Sequence, residues 1–257
     1  MEIVRSDANG VCTITLNRPS VYNSFNQTMA FQLQATLDAC SKDDSVRVIV
    51  ITGEGKAFSA GQDLGEATDN EGLTLTSIVR DHYNPIILKI REIEKPVIAA
   101  VNGVAAGAGA NIALACDITF AKKSASFIQA FSKIGLIPDS GGTFFLPRLI
   151  GMQKALALMM TGDKVSAEEA EKLNMIYKVI DDDDFSSEIT RFSEQLAMMP
   201  TRGLGLTKKA VNLGLFNSLE DQLELEEKLQ TQAGETDDFA EGVNAFLQKR
   251  TPQFKGK

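Results

Sequence analysis

One carboxylate and two segments of small residues carry the chemistry that this sequence suggests. Asp139 lies in segment 136–143, directly before a Ser-Gly-Gly triplet, and no other acid stands in the apolar stretch that leads to it. Two glycine- and alanine-rich segments precede it, at 58–64 and 102–111. Because small residues let a ligand approach backbone amides, this combination indicates proton transfer supported by backbone hydrogen-bond donors. The alternative is that Asp139 only caps a helix beginning near Gly141.

The elements that must position these segments form an α/β pattern. Strands separated by helices favour a core in which both faces of the sheet are covered. After Gly151 the composition becomes helical, with a single predicted strand at 176–180 and an acidic turn at 181–184. Predicted strands lie at 11–16, 47–52, 96–101 and 117–121, and predicted helices lie at 27–40, 74–93 (with a kink or break at Pro85), 108–116, 152–160, 166–173, 186–199, 202–213, 219–233 and 239–249.

Bulk composition limits the partners. A chain of 257 residues can bury a sizeable core, and its net charge of −8 argues against a general nucleic-acid or anionic-membrane surface. The charge does not exclude an anionic ligand, since lysines and helix N-termini can bind phosphate locally. Cys12, Cys40 and Cys116 form no CxxC or Cys/His spacing, so a zinc site and a disulfide framework are not expected. Without a signal-peptide core or a run of transmembrane length, we expect a reduced, cytoplasmic protein.

Two familiar catalytic patterns are not supported. The Asp-Ser-Gly-Gly sequence at 139–142 is superficially similar to a serine-protease nucleophile, but that mechanism needs an imidazole. His82 is the only histidine and lies in a polar helical segment, where we expect it at the surface. Glycines 103, 107 and 109 do not have the GxGxxG spacing of a dinucleotide site, so cofactor-dependent redox chemistry is not indicated.

Taken together, several segments resemble the crotonase (enoyl-CoA hydratase/isomerase) superfamily over essentially the whole chain. They are 16–19 with Asn23, 56–64, 95–103, 116–117, 135–142, 241–242 and 249–254. The resemblance implies a spiral of ββα units at 1–200, which binds acyl-CoA and carries catalysis. It also implies a C-terminal helical region at 201–257 used in assembly as a homotrimer, or as a hexamer made of two trimers.

The resemblance also implies a set of site residues in an enzyme that acts on coenzyme A thioesters. Two backbone N–H groups, those of Gln62 and Ala108, would hold the thioester oxygen as it becomes an enolate. Phe254 and Lys255 would complete the coenzyme A site of a neighbouring subunit. No metal or separate cofactor is implied, because coenzyme A is part of the substrate. The remaining coenzyme A contacts would be Lys56, Ala57, Ala60, Asp63 and Leu64, although an exposed lysine such as Lys56 is often only solvated.

The same resemblance favours isomerisation over hydration. Family hydratases use two glutamates to activate water, and their positions hold Asn111 and Phe131 here. Asp139 then stands where several isomerases place their acid/base, and the apolar residues Phe131 and Ile137 should raise its pKa by desolvation. Asn111 would orient substrate or a developing oxyanion, or would instead be satisfied within the buried helix.

Within the superfamily, the segments look most like the ring-1,2-epoxyphenylacetyl-CoA isomerases of aerobic phenylacetate degradation, which form oxepin-CoA. The nearest alternative is a Δ3,Δ2-enoyl-CoA isomerase of fatty-acid oxidation. A hydratase is a weaker alternative. A non-catalytic binding protein is weaker still, and RNA is disfavoured as a partner by the acidic charge.

Overall fold

The computed structural model describes residues 1–69 and 74–257, and within them ten strands form two sheets. The larger sheet has the order β1-β2-β3-β5-β7-β10, and the smaller has the order β4-β6-β8-β9. The strands are β1 (Ile3–Ala8), β2 (Val11–Leu16), β3 (Val48–Gly53), β4 (Ala57–Ser59), β5 (Val97–Val101), β6 (Val104–Ala106), β7 (Ile118–Lys122), β8 (Ser126–Ile128), β9 (Lys164–Ser166) and β10 (Lys178–Ile180).

Helices separate and cover these strands. They are α1 (Gln27–Lys42), α2 (Leu64–Asp69), α3 (Leu75–Ser77), α4 (Asn84–Glu92), α5 (Ala108–Ala115), α6 (Gly142–Ile150), α7 (Met152–Thr161), α8 (Ala167–Lys172), α9 (Phe185–Ala197), α10 (Thr201–Gly214), α11 (Leu219–Gly234) and α12 (Asp237–Gln248). Short 3-10 turns occur at Pro19–Val21 and Ala130–Ile134, and a π-helical turn at Ile78–Tyr83 joins α3 to α4.

The chain advances through both sheets together. It passes from β3 to β4, then from β5 to β6 and from β7 to β8, moving each time from the larger sheet to the smaller one. Each new strand pairs in parallel with its predecessor in the same sheet. Helices carry the chain back between these steps, so the architecture is a succession of ββα units.

Alternation along the central strands explains why both faces of the larger sheet are buried. Ile49 and Ile51 of β3 belong to the main core, whereas Val48 and Val50 belong to a second core against α9. A strand covered on both faces must be apolar throughout, and β5 is buried at every position. The α/β core expected from the sequence is therefore confirmed.

The segment before α4 differs from expectation in two ways. Helical structure does span 75–92, but the residues before Pro85 form a π-helical turn in place of a kink. Because proline has no N–H, the hydrogen-bond pattern of the helix has to change at this point.

His82 was expected at the surface, and that expectation is wrong. It is 2% exposed, and its ring packs edge-on against Phe31 with 5.3 Å between the ring centroids. Desolvation lowers the pKa of His82, which keeps the ring neutral in the core.

The segment after Gly151 is mainly helical, as predicted, and the acidic residues 181–184 lead into α9. The sequence indicated one strand there, but β9 is a second. Lys208 of α10 reaches the core and pairs with Asp117 at 2.8 Å, which ties the C-terminal helices to the spiral. The proposed boundary between 1–200 and 201–257 stays a prediction.

The three thiols of Cys12, Cys40 and Cys116 are free and buried, and the Sγ atoms of Cys12 and Cys40 lie 3.2 Å apart. Among the residues with described positions, no helix has the length and apolar character needed to cross a membrane.

Candidate active site

The backbone amide of Gln62 points away from Phe25, the residue with which Gln62 forms an isolated β-bridge. Phe25 and Gln62 form a parallel bridge, in which Phe25 N donates to Gly61 O at 2.6 Å and Asp63 N donates to Phe25 O at 2.8 Å. Both bonds of the bridge are therefore made by the residues that flank Gln62. Because successive N–H groups of an extended chain point in opposite directions, the Gln62 N–H faces the other side.

The backbone amide of Ala108 is free for a different reason. Ala108 is the first residue of α5, and the first N–H groups of a helix have no partner within the helix. Gly107 precedes it with φ of 52°, and a glycine offers no side chain to cap the helix. The helix dipole places partial positive charge at this end, so the Ala108 N–H suits a developing anion.

Gly61 brings these two amides to the same place. A Cβ atom at Gly61 would lie 2.9 Å from the carbonyl oxygen of Ala106 and 3.3 Å from the backbone nitrogen of Ala108. Gly61 also has φ of 89°, a conformation that other residues rarely adopt. The chain that carries Gln62 therefore passes against the start of α5, and two N–H groups become available side by side.

Asp139 begins a tight turn directly before α6. Its carbonyl oxygen accepts a hydrogen bond from Gly142 N at 2.8 Å, and the two residues between, Ser140 and Gly141, have φ of 50° and 74°. Positive φ at both central positions is the mark of the type I′ turn, and it is uncommon at a serine. Gly141 is the N-cap residue of α6, and no side chain caps that helix. The alternative that Asp139 serves only as a helix cap is therefore wrong.

The carboxyl group of Asp139 is half-buried, and this burial raises its pKa. A hydrogen bond from Ser140 Oγ to Asp139 Oδ1, 2.9 Å long, opposes the rise without cancelling it. The predicted direction of the pKa shift is confirmed. Ile137 does not contribute to the burial as expected, because its side chain is 81% exposed.

Asn111 and Phe131, which replace the hydratase glutamates, are both buried. Phe131 is apolar and lies beside the start of α5, where its ring would be 3.8 Å from a Cβ atom at Gly107. The Asn111 side chain has protein partners at both ends: its Nδ2 donates to the Asp139 carbonyl at 2.9 Å, and its Oδ1 accepts from Gln129 Nε2 at 2.8 Å. Neither residue supplies a carboxylate.

Sequence reasoning missed Gln129 and Tyr83. The hydroxyl group of Tyr83 donates to Gln62 Oε1 at 2.8 Å. Burial raises the pKa of Tyr83 well above its ordinary value, and the negative charge of Asp139 acts in the same direction. Only their contacts identify these two residues, because neither stands in a recognisable motif.

The segment expected to contact coenzyme A presents three accessible residues. Lys56 and Ala60 are exposed, and so is the side chain of Leu64. Ala57 is fully buried, and its carbonyl oxygen accepts a hydrogen bond from Asn23 at 2.8 Å. A side-chain contact between Ala57 and a ligand is therefore not available in this structure. Contacts of Lys56, Ala60 and Leu64 with coenzyme A stay a prediction.

Asp63 is engaged within the protein. Its carboxylate pairs with the guanidinium group of Arg18 at 2.9 Å, and Arg18 also donates to the Ser24 carbonyl at 2.6 Å. This ion pair links the segment before α2 to the loop that follows β2. Asp63 therefore holds the segment next to Gln62 in place, and direct contact with coenzyme A stays a prediction.

The C-terminal tail is fixed to its own chain. Asp238, which is buried, accepts hydrogen bonds from Lys255 N at 2.6 Å and from Gly256 N at 2.7 Å. The carbonyl oxygen of Phe254 accepts from Arg47 at 3.0 Å. The contribution of Phe254 and Lys255 to a neighbouring subunit's site stays a prediction.

A metal site does not emerge from the described ranges, in which no group of three or more His, Cys, Asp or Glu side chains could hold an ion. The arrangement instead combines two free backbone donors, one carboxyl group of raised pKa and an apolar neighbour. Such a site can hold a carbonyl oxygen while a proton is moved nearby.

Comparison with known proteins agrees with this chemistry. Residues 6–257 match the family model described as enoyl-CoA hydratase/isomerase. The chain is 47% identical to a 1,2-epoxyphenylacetyl-CoA isomerase of Escherichia coli K12, over 100% of both proteins. It is 45% identical to a probable enoyl-CoA hydratase of Rhodobacter capsulatus, over 97% of this chain and 96% of the relative. A trans-2-decenoyl-[acyl-carrier-protein] isomerase of Streptococcus mutans is 37% identical, over 100% of this chain and 98% of that protein.

Solved structures show the same fold. A putative enoyl-CoA hydratase/isomerase from Mycobacterium abscessus superposes with a TM-score of 0.94 at 35% identity, covering 99% of this chain and 100% of that one. An enoyl-CoA hydratase from Bacillus anthracis gives a TM-score of 0.93 at 33% identity, with both chains covered fully.

Proposed function

Because the chain belongs to the enoyl-CoA hydratase/isomerase family, we propose that it is an acyl-CoA isomerase that works through a thioester enolate. The observation that carries the proposal is that one site combines Asp139, a carboxylate of raised pKa, with the free backbone N–H groups of Gln62 and Ala108. The two positions at which family hydratases carry glutamate hold Asn111 and Phe131, so the means to activate water are lacking there.

The proposed reaction moves one proton and adds no water. The N–H groups of Gln62 and Ala108 hold the thioester oxygen, which acidifies the carbon next to the carbonyl group. Asp139 removes a proton from that carbon, and the electron pair of the broken C–H bond forms the enolate. Asp139 then returns the proton further along the conjugated system, so the carboxylate is regenerated. A raised pKa suits a group that must both accept and donate a proton near neutral pH.

We propose ring-1,2-epoxyphenylacetyl-CoA as the substrate and oxepin-CoA as the product, as part of phenylacetate breakdown. In this reaction the enolate would assist opening of the epoxide. The full-length relative at 47% identity supports this choice. The proposal needs no cofactor beyond the coenzyme A of the substrate, and it assigns the enzyme to the cytoplasm as a homotrimer or hexamer.

A second candidate is the shift of a double bond in a 3-enoyl-CoA. The relative named as a trans-2-decenoyl-[acyl-carrier-protein] isomerase, which is 37% identical, supports it. Both reactions would use Asp139 and the same two amides. Rates measured side by side on the ring epoxide and on an aliphatic 3-enoyl-CoA would decide between them.

The test is the variant Asp139→Asn, with Asp163→Asn as the matched control because Asp163 is exposed and lies outside the site. The amide keeps the shape of the side chain but cannot take up a proton, and general acid–base catalysis is typically worth about 10²–10⁴-fold. We expect a loss of that size in kcat on both substrates, with Asp163→Asn unchanged. An unchanged rate for Asp139→Asn would refute the proposal. Hydration of a 2-enoyl-CoA at a rate matching isomerisation would favour the hydratase instead.

A further inference from the structure

The buried Gln129 side chain is connected to Asp139 through Asn111. Gln129 Nε2 donates to Asn111 Oδ1 at 2.8 Å, and Asn111 Nδ2 donates to the Asp139 carbonyl oxygen at 2.9 Å. Gln129 is 2% exposed and Asn111 is fully buried. We infer that Gln129 is a positioning residue that sets the place of the Asp139 carboxyl group through Asn111. The inference rests on the proposed function of Asp139.

The direction of this hydrogen-bond chain is fixed by chemistry. A backbone carbonyl only accepts hydrogen bonds, so the end of the Asn111 amide that faces Asp139 must be the NH₂ group. Its oxygen therefore faces Gln129, which must in turn present its own NH₂ group. Without the donor from Gln129, the Asn111 amide would lose the partner that holds its oxygen on that side.

The Asn111 side chain is also confined by its neighbours. A Cβ atom at Gly142 would lie 2.3 Å from Asn111 Nδ2, so the asparagine amide occupies the space that a side chain at 142 would need. Gly142 N and Asn111 Nδ2 donate to the same Asp139 carbonyl oxygen. The turn that carries Ser140 at positive φ is thus stabilised by its own Gly142 N–H and also by the Asn111 side chain. A strained turn persists only where the surrounding structure holds it in place.

The hydrogen bonds from Gln129 to Asn111 and from Asn111 to Asp139 connect the Asp139 turn with the start of α5. Asn111 lies in the first turn of α5, whose first residue, Ala108, supplies one of the two backbone donors. Gln129 directly follows β8, and the carbonyl of Ile128 accepts a hydrogen bond from Gly107 N at 2.9 Å. Gln129 and the Ala108 N–H group therefore both lie next to the Gly107–Ile128 hydrogen bond. Asn111 relates the position of the Asp139 turn to that bond.

Gln129 retains an acceptor that the fold does not use. Its Oε1 is buried, and none of the described residues makes a hydrogen bond to it. Leaving a buried acceptor unpaired is unfavourable, so an apolar side chain would suit the core better at this point. The donor end of Gln129 has a partner and its acceptor end does not, which fits a residue kept for the bond to Asn111.

The experiment compares Gln129→Met with the control Gln195→Met, an exposed glutamine in α9. Methionine keeps the length of the side chain but cannot donate. Because misplacement of a reacting group by about 1 Å can cost 10²-fold, we expect kcat to fall about 10- to 100-fold. KM for the acyl-CoA should stay within about twofold, since the coenzyme A contacts are untouched. Gln195→Met should behave as the unmodified protein.

A second variant, Gln129→Glu, separates positioning from a general loss of stability. A protonated carboxyl group can donate to Asn111 Oδ1, whereas an ionised one can only accept. The kcat of Gln129→Glu relative to the unmodified enzyme should therefore fall as pH rises, while that of Gln129→Met should stay low at every pH. This comparison also decides the question if Gln129→Met does not fold.

Two results would overturn the inference. One is a Gln129→Met enzyme with the kcat and pH profile of the unmodified protein, and the other is a Gln129→Glu enzyme whose relative kcat does not depend on pH. If Asp139→Asn is inactive while either result is obtained, the positioning role fails and the proposed function stands. If Asp139→Asn is active, the proposed function itself fails.

Discussion

The two sides of the candidate site are built from different kinds of groups. On the side of Gln62 and Ala108, the chemistry belongs to backbone N–H groups, which are exposed by a parallel bridge and by a helix start. On the side of Asp139 it belongs to one carboxyl group, on a turn whose first carbonyl oxygen accepts a hydrogen bond from Asn111. The first side depends on where the chain runs, and the second depends on which side chain is present.

This difference predicts where the site tolerates substitution. A backbone donor is retained when its side chain changes, provided that the path of the chain is kept. A carboxyl group disappears with a single substitution. On the backbone side the sensitive positions should therefore be the glycines that allow close approach, and on the other side they should be Asp139 and the residues that place it.

Gly61→Ala should have the largest effect on the backbone side. The added methyl group would lie 2.9 Å from the Ala106 carbonyl oxygen at a residue with φ of 89°, so the Gln62 amide must move. Loss of one such donor costs about 10²–10³-fold in kcat. The measurement is kcat on the ring epoxide and on a 3-enoyl-CoA.

Gly234→Ala is the matched control for this variant. Nothing lies within 4 Å of a Cβ atom at Gly234, which ends α11 far along the chain from the site. Its kcat should be unchanged. Equal rates for Gly61→Ala and Gly234→Ala would contradict the importance of the close approach at Gly61.

Much of the fold could be predicted from the sequence because its longer elements have clear patterns. The buried strands β3 and β5 and the helices α1, α5 and α9 lie within a few residues of their predicted bounds. Five strands were missed: β4, β6, β8 and β9 have only three residues each, and β1 has six, of which only Ile3 is buried. A period of two cannot be recognised over three residues, and pairing with distant strands is what makes them strands.

In the site, too, some residues have a local sequence pattern and others are identified only by contacts with distant parts of the chain. Asp139 and the two glycine-rich segments stand in recognisable patterns, so the sequence alone could single them out. His82 was misjudged because polar neighbours suggested a surface, whereas packing against Phe31 buries it. The Asn111–Gln129 bond joins residues 18 positions apart, and the Arg18–Asp63 pair joins residues 45 positions apart. Such contacts depend on the folded path of the chain and have no local signal.

Asp139→Asn should also test the carboxylate side through stability. Burial raises the pKa of Asp139 in the folded protein above its ordinary value of 3.8. The folded protein therefore binds the proton more tightly than the unfolded chain, and the cost of ionising Asp139 appears as pH rises through and above that value. The asparagine variant avoids this cost.

We therefore expect Asp139→Asn to have a higher Tm than the unmodified protein at neutral pH, with the difference shrinking as pH falls below the folded pKa. Each kcal/mol corresponds to about 2–4 °C for a chain of this size. Thermal unfolding followed over a pH series measures it, with Asp163→Asn as the exposed control. A variant that is less stable at neutral pH would show that the burial cost is outweighed by contacts of the carboxylate.

Ala108→Gly should have the smallest effect, although Ala108 supplies a proposed donor. Its contribution is the backbone N–H, which glycine also has, and its methyl group is buried at the first position of α5. The change costs at most about 1 kcal/mol of helix stability, and kcat should fall by less than about threefold. Measured beside Gly61→Ala, it compares removal of a side chain at one donor with displacement of the backbone at the other. A loss in Ala108→Gly as large as that in Gly61→Ala would mean that the Ala108 methyl group, through packing, fixes the donor as firmly as the path of the chain does.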